Sequence, residues 1–131
     1  MAQYMRQHNI RALWLMPTVD WWVPADFVME DWLDWAQARR IPLYMSPETG
    51  MDFTAIARFL TRFPNLVVVA HQLRTWPLDR FYRPFLRKFR HFYLDVSFVH
   101  TDGFYEDFTA WGGGERLLLG IDRHALVDQP R

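Results

Sequence analysis

Leu66-Val67-Val68-Val69-Ala70-His71 is a run of five apolar residues that ends in an imidazole, and it decides how the rest of the chain reads. Its middle is β-branched and nothing polar interrupts it, as expected for a strand covered on both faces. Such strands belong to parallel sheets with helices packed over them. Similar short runs occur at Ile10 to Met16, Ile41 to Met45, Phe92 to Ser97 and Leu117 to Ile121. The segments between them have helical spacing.

One helix is predicted over Ala25 to Arg39, with Phe27, Trp32, Leu33, Trp35 and Ala36 on its apolar face and Arg39 and Arg40 near the C-terminal end, where cations are favoured. Phe53, Ile56, Ala57, Leu60 and Phe63 define a second, with Asp52 as N-cap and Pro64 just past the end. A third runs from about Pro77 to Phe89, with Thr75 as cap; Phe81, Phe85 and Phe89 read as core, and Pro84 predicts a kink or an early stop. A fourth, from about Asp102 to Trp111, is ended by Gly112-Gly113-Gly114. Each interval between strand starts holds one strand, one loop and one helix. That is a βα repeat of five units in a single domain spanning residues 1–131. Two architectures build such a repeat, an open doubly wound sheet and part of a (β/α)8 barrel, which needs about 250 residues when complete.

Composition excludes several functions. Half of the residues are hydrophobic and 18% are aromatic, including seven Trp and eleven Phe, so the chain can bury a core. Fifteen basic residues balance fifteen acidic ones, leaving no net positive charge to attract nucleic acid or an anionic membrane. A neutral, aromatic-rich surface favours self-association. With no cysteine there are no disulfides or thiolate metal sites, so a metal would rest on His, Asp or Glu. No stretch approaches the roughly 18 apolar residues of a membrane span, and Met1 to Arg6 does not read as a signal peptide, so a cytoplasmic location is expected.

Ligands of parallel α/β folds gather at the carboxyl ends of the strands. The polar residues there are Ser46 and Glu48 after the second strand, His71 and Arg74 after the third, Asp95, Ser97 and His100 around the fourth, and Asp122 after the fifth. A His and an Asp at separate strand ends suit metal-assisted hydrolysis, in which the imidazole holds the ion and the carboxylate deprotonates its water. Each also has a structural reading: His71 as a hydrogen-bonded imidazole and Asp122 as a turn cap. Asp95 reads as structural, His100, Asp102 and Glu106 as a solvated loop and helix start, and Trp21, Trp22, Trp32 and Trp35 as helix–sheet packing.

Four stretches resemble the amidohydrolase-related family of the amidohydrolase superfamily: Asn9 to Pro17, Arg40 to Ser46, Arg62 to His71, and the pair Phe92 to Ser97 with Glu115 to Asp122. The resemblance covers nearly the whole chain and implies the C-terminal part of a distorted (β/α)8 barrel. It implies Asp122 as the catalytic base, with or without direct contact to a divalent Zn or Mn ion, and His71 as a ligand of that ion or, in members that bind no metal, as the group that polarises the substrate carbonyl. The substrate would be a small carbonyl compound undergoing C–N or C–O hydrolysis, or an aromatic acid undergoing decarboxylation, with Arg74 anchoring a carboxylate. The pattern is incomplete. No His-x-His occurs, Ser46 stands where the family has a His, a Gly common shortly after the sixth-strand His is replaced in Gln72-Leu73, and one His plus one Asp fall short of three protein ligands. Five strands also leave two unpaired sheet edges, which implies one of three states: a fragment of a longer gene product, pairing with a partner chain that supplies the early strands, or a decayed paralogue. The rival reading is a non-catalytic binding or assembly module of the same fold. An open flavodoxin-like sheet ranks last, because Gly112-Gly113-Gly114 precedes a strand instead of opening a helix.

Overall fold

Each of the five apolar runs contributes a short strand: β1 (Leu13–Leu15), β2 (Leu43–Met45), β3 (Val68–Ala70), β4 (Phe92–Asp95) and β5 (Leu117–Leu118). The structure is a computed structural model and describes residues 1–73, 79–99 and 101–120. All four pairings are parallel, and the order in the sheet is β1-β2-β3-β4-β5. A doubly wound sheet reverses its strand order at a switch point so that helices cover both faces. Here the order never reverses, so each right-handed crossover returns its helix to the same side. This is the winding of a (β/α)8 barrel wall, built here from five parallel strands, and the flavodoxin-like alternative fails on it.

The helices are α1 (Ala2–Gln7), α2 (Pro17–Asp20), α3 (Asp26–Ala38), α4 (Phe53–Arg62), α5 (Asp79–Lys88) and α6 (Phe104–Ala110). Asp52 caps α4 as expected, its Oδ1 accepting the Ala55 N–H at 2.7 Å. Thr75, the expected cap of α5, lies outside the described residues. Pro84 does not stop α5, which continues to Lys88. The proline removes one helical hydrogen bond, but Tyr82 and Leu86 of the same helix, and Phe89 just past its end, are buried in the core, and that packing outweighs the local loss. Two apolar positions expected on buried faces are exposed: Phe27 (76%) and Trp21 (93%). The true buried stripe of α3 is Leu33 and Ala36, with Met29 and Trp32 packed beside it. Phe81 is half exposed but stacks on Phe53 at 5.2 Å. Arg62 ties α4 to α3 by pairing with Asp26 at 2.9 Å and Glu30 at 2.5 Å. Its hydrogen bond holds the Asp26 carboxyl below its ordinary range.

The register divides the sheet into two faces, because alternate side chains of a strand point oppositely. Leu13, Leu43, Val68 and Phe92 align on one face, and Leu15, Met45, Ala70 and Leu94 lie on it one pleat further along. Most of them are fully buried in one core with Leu33, Ala36, Ile56, Phe59, Tyr82 and Leu86 from the helices. Each large side chain so buried contributes about 1.5–3 kcal/mol. Trp14, Tyr44, Val69 and Tyr93 align on the opposite face, which is the inner, concave one in a barrel. Among the described residues no helix is long and apolar enough to cross a membrane.

Phe59→Ala is expected to cost about 3–5 kcal/mol in urea unfolding. Asp52→Ala is expected to cost about 1 kcal/mol through loss of the cap. Equal losses would place the stabilising core away from the α4–sheet contact.

Candidate functional site

His71 directly follows β3, the central strand, and its backbone N–H is held by the Met45 carbonyl at 3.0 Å. Two residues beyond Val69, it shares that residue's face and lies against the inner-face rings. It stacks on Trp14 with centroids 5.3 Å apart and planes 10° from parallel, and it meets Tyr44 at 5.9 Å. The imidazole is 5% exposed, whereas Trp14 is 57% exposed on the edge strand. Trp14 and Tyr44 also meet each other at 5.9 Å, so the imidazole is one corner of a three-ring cluster at the carboxyl end of the sheet.

Because Ala70 pairs with Leu94, extending the register by one residue sets His71 beside Asp95 on neighbouring strands of the same face. Asp95 does have the structural role expected from the sequence: Oδ1 accepts both the Ser97 N–H at 3.0 Å and the Ser97 hydroxyl. It also faces Tyr44. Burial, and then the negative charge of Asp95, raise the Tyr44 phenol above its ordinary 10.0. At neutral pH Tyr44 thus keeps its proton and can donate a hydrogen bond, while Asp95 accepts. Gly120 completes this corner. A Cβ there would stand 2.6 Å from Ser97 Oγ and 3.1 Å from Asp95 Oδ2, so a glycine is needed for the pair to sit where it does.

Backbone strain accumulates at the same mouth. Gln72, next to His71, has φ of +54°, a region that favours glycine. Its Oε1 is buried and makes no hydrogen bond among the described residues. Ser46, fully buried, spends its hydroxyl on the turn Pro47–Thr49, accepting the Glu48 N–H at 3.1 Å. It is a cap, and the end of β2 offers no ligand through it.

Of the residues singled out in the sequence, His71 is on the inner face at the strand ends. Asp122, Arg74 and His100 lie outside the described residues. Among the described residues no three His, Asp or Glu side chains cluster closely enough to hold a metal ion. Trp14 and Tyr44 were overlooked as lining, and Asp95 was assigned only its structural half. Alternation alone does not find them; the register between strands is what sets Trp14, Tyr44 and Asp95 on the face of His71.

Comparison with models of known protein families finds no match, and comparison with curated proteins finds none either. Among solved structures, an uncharacterized TIM-barrel protein from Bordetella bronchiseptica superposes with a TM-score of 0.66 at 22% identity. The match covers 98% of this chain and 53% of the other, so the chain spans about half the length of that barrel protein. The likeness is one of fold, and it agrees with the unreversed strand order: this is part of a TIM-type barrel.

The Tyr44 environment is open to titration. Its phenolate absorbance should have a midpoint above 10.0, and Asp95→Asn should move it part of the way back, because burial remains. A phenol whose folded pKa is raised stabilises the fold fully below its unfolded value, and that contribution is lost as pH climbs through the folded one. Stability should accordingly fall above about pH 10. A Tyr44 midpoint unaffected by Asp95→Asn would separate the two groups. Gly120→Ala is expected to cost about 1–3 kcal/mol by crowding the Asp95–Ser97 pair.

Proposed function

We propose that this chain forms part of the catalytic mouth of a hydrolase-type barrel acting on a small carbonyl compound. The reaction would be hydrolysis of a C–N or C–O bond, with decarboxylation of an aromatic acid as the nearest variant. The observation that carries the reading is the position of His71, an imidazole at the carboxyl end of the central strand, flanked by Trp14 and Tyr44 and in register beside Asp95. Barrel enzymes do their chemistry at this end. The ring faces of Trp14 and Tyr44 suit an aromatic or otherwise planar substrate.

In this scheme His71 polarises the substrate carbonyl by donating a hydrogen bond to its oxygen, and Asp122 takes a proton from the attacking water. Arg74 pairs with a substrate carboxylate. The neutral Tyr44 phenol offers a second donor to the oxygen on which negative charge develops. The described residues do not by themselves form a metal site, so no step runs through an ion. A divalent Zn or Mn ion would be held by His71 and Asp122 together with donors from further strands, and it would acidify the attacking water.

The rival is a binding or assembly module without catalysis. Ser46 favours it, because a hydroxyl used as a cap leaves the end of β2 without an imidazole. Among the described residues the edges at β1 and β5 are open, with Trp14 and Leu118 exposed on them, which favours pairing with strands from a partner chain or a second copy in either case.

With the strands that close the barrel present, His71→Ala and Asp122→Asn should each lower kcat/KM on ester, amide or aromatic-acid substrates by about 10²-fold or more. Unchanged turnover in Asp122→Asn would remove the proposed base. Stoichiometric Zn or Mn retained after dialysis, and lost in His71→Ala, would favour the metal-assisted form. A chain with neither metal nor turnover would be the module.

A further inference from the structure

The equal numbers of acidic and basic residues conceal a strong separation of charge. Helix α3 carries Asp26, Glu30, Asp31 and Asp34 and no cation. The opposite composition appears at the amino ends of the strands, the underside of the barrel wall, away from the mouth. There a cleft of about 430 Å³ is lined by Arg40, Arg90, His91, Tyr93, Glu115 and Arg116. The topology explains how it forms. Arg40 closes α3 just before β2, Arg90 and His91 immediately precede β4, and Glu115 and Arg116 immediately precede β5. Parallel pairing brings these three entry points side by side around β3.

Three guanidiniums thus face one carboxylate. Arg116 is anchored: its Nη1 donates to the carbonyls of Leu86 at 2.8 Å and Phe89 at 2.9 Å. Those acceptors fix its place without neutralising its charge. Arg40 and Arg90 are exposed, and among the described residues their side chains make neither a hydrogen bond nor an ion pair. Arg40 moreover holds a left-handed backbone, with φ of +52°, at the lip of the cleft. His91 registers the field: burial, and then the charges of Arg40, Arg90 and Arg116, hold its imidazole below the ordinary 6.5. A neighbouring cleft on the same underside adds Arg6, Arg11 and Arg39 and no acid. Guanidiniums gathered in a concave site without carboxylate partners are what a phosphate group requires, since their planar forks match its oxygens. A volume of a few hundred Å³ is that of a small-molecule site.

We propose that this underside cleft binds the phosphate group of a small phosphorylated molecule, with Arg40 and Arg90 as its exposed clamps, Arg116 as the anchored cation and Tyr93 at its wall. The site is separate from the mouth, so it stands or falls independently of the hydrolase reading.

The probe is inorganic phosphate, then pyrophosphate, titrated into the full chain at constant ionic strength with sodium chloride as the control. Phosphate should raise the melting temperature saturably, where chloride does not. It should also raise the His91 imidazole pKa measured by NMR, because a bound dianion offsets the guanidinium charges. Arg40→Gly with Arg90→Gln should weaken phosphate binding by about tenfold or more. The glycine suits the left-handed backbone, so the fold is kept. Arg90→Gln alone, an exposed change that breaks no bond, should weaken it several-fold. Equal melting shifts in chloride, or undiminished phosphate binding in the double variant, would overturn the proposal. So would tighter binding of duplex DNA or of anionic lipid vesicles than of pyrophosphate, which would make the underside a polyanion-binding surface.

Discussion

Everything described here depends on one constraint, the unbroken parallel register of β1 through β5. Parallel pairing with no reversal in strand order puts all the connecting helices on one side. It also sends alternate residues of every strand to opposite faces. From that single geometric fact come the core, in which Leu43, Val68 and Phe92 meet the helices, and the inner face, on which Trp14, Tyr44, Val69 and Tyr93 align. A slip of one residue in any pairing would exchange the two sets, exposing the core and burying the site. The apolar helix-facing layer therefore stabilises the fold and aims the functional face together.

The two ends of the sheet are chemically unlike. At the carboxyl ends an imidazole, a phenol that keeps its proton and a carboxylate lie on one face among aromatic rings. At the amino ends guanidiniums gather with little to neutralise them. The mouth offers hydrogen-bond donors and acceptors in partly desolvated surroundings, where such interactions strengthen. The underside is arranged for charge. A net charge of zero says nothing of this, because it sums over surfaces that face in different directions.

The mouth is also where the chain departs from comfortable local structure. Gln72 takes a left-handed backbone, and Gly120 is the one residue type that leaves room for Asp95 and Ser97. Ser46 gives its hydroxyl to a turn. Strain that surrounding packing sustains is characteristic of functional sites, and its presence beside His71 agrees with the aromatic stacking there.

The periodicity of the apolar runs was enough for five strands and for the main helix of each interval, though not for the short α2, because a buried parallel strand leaves a continuous apolar signature and an Asp before Phe53 caps a helix through purely local hydrogen bonds. It was also enough to single out His71, whose place at a strand end is a matter of position along the chain. The apolar periodicity alone could not choose between the open sheet and the barrel wall, since strand order depends on which distant segments pair. The resemblance and the placement of Gly112-Gly113-Gly114 favoured the barrel, and the strand order bears that out. Sequence could not show that Trp14 and Tyr44 flank that imidazole, that Asp95 faces Tyr44, or that Arg40, Arg90 and Arg116 share one cleft. Those residues are separated by tens of positions, and only the register of the folded sheet makes neighbours of them. Local chemistry is written in adjacent residues, but a site is assembled by pairing.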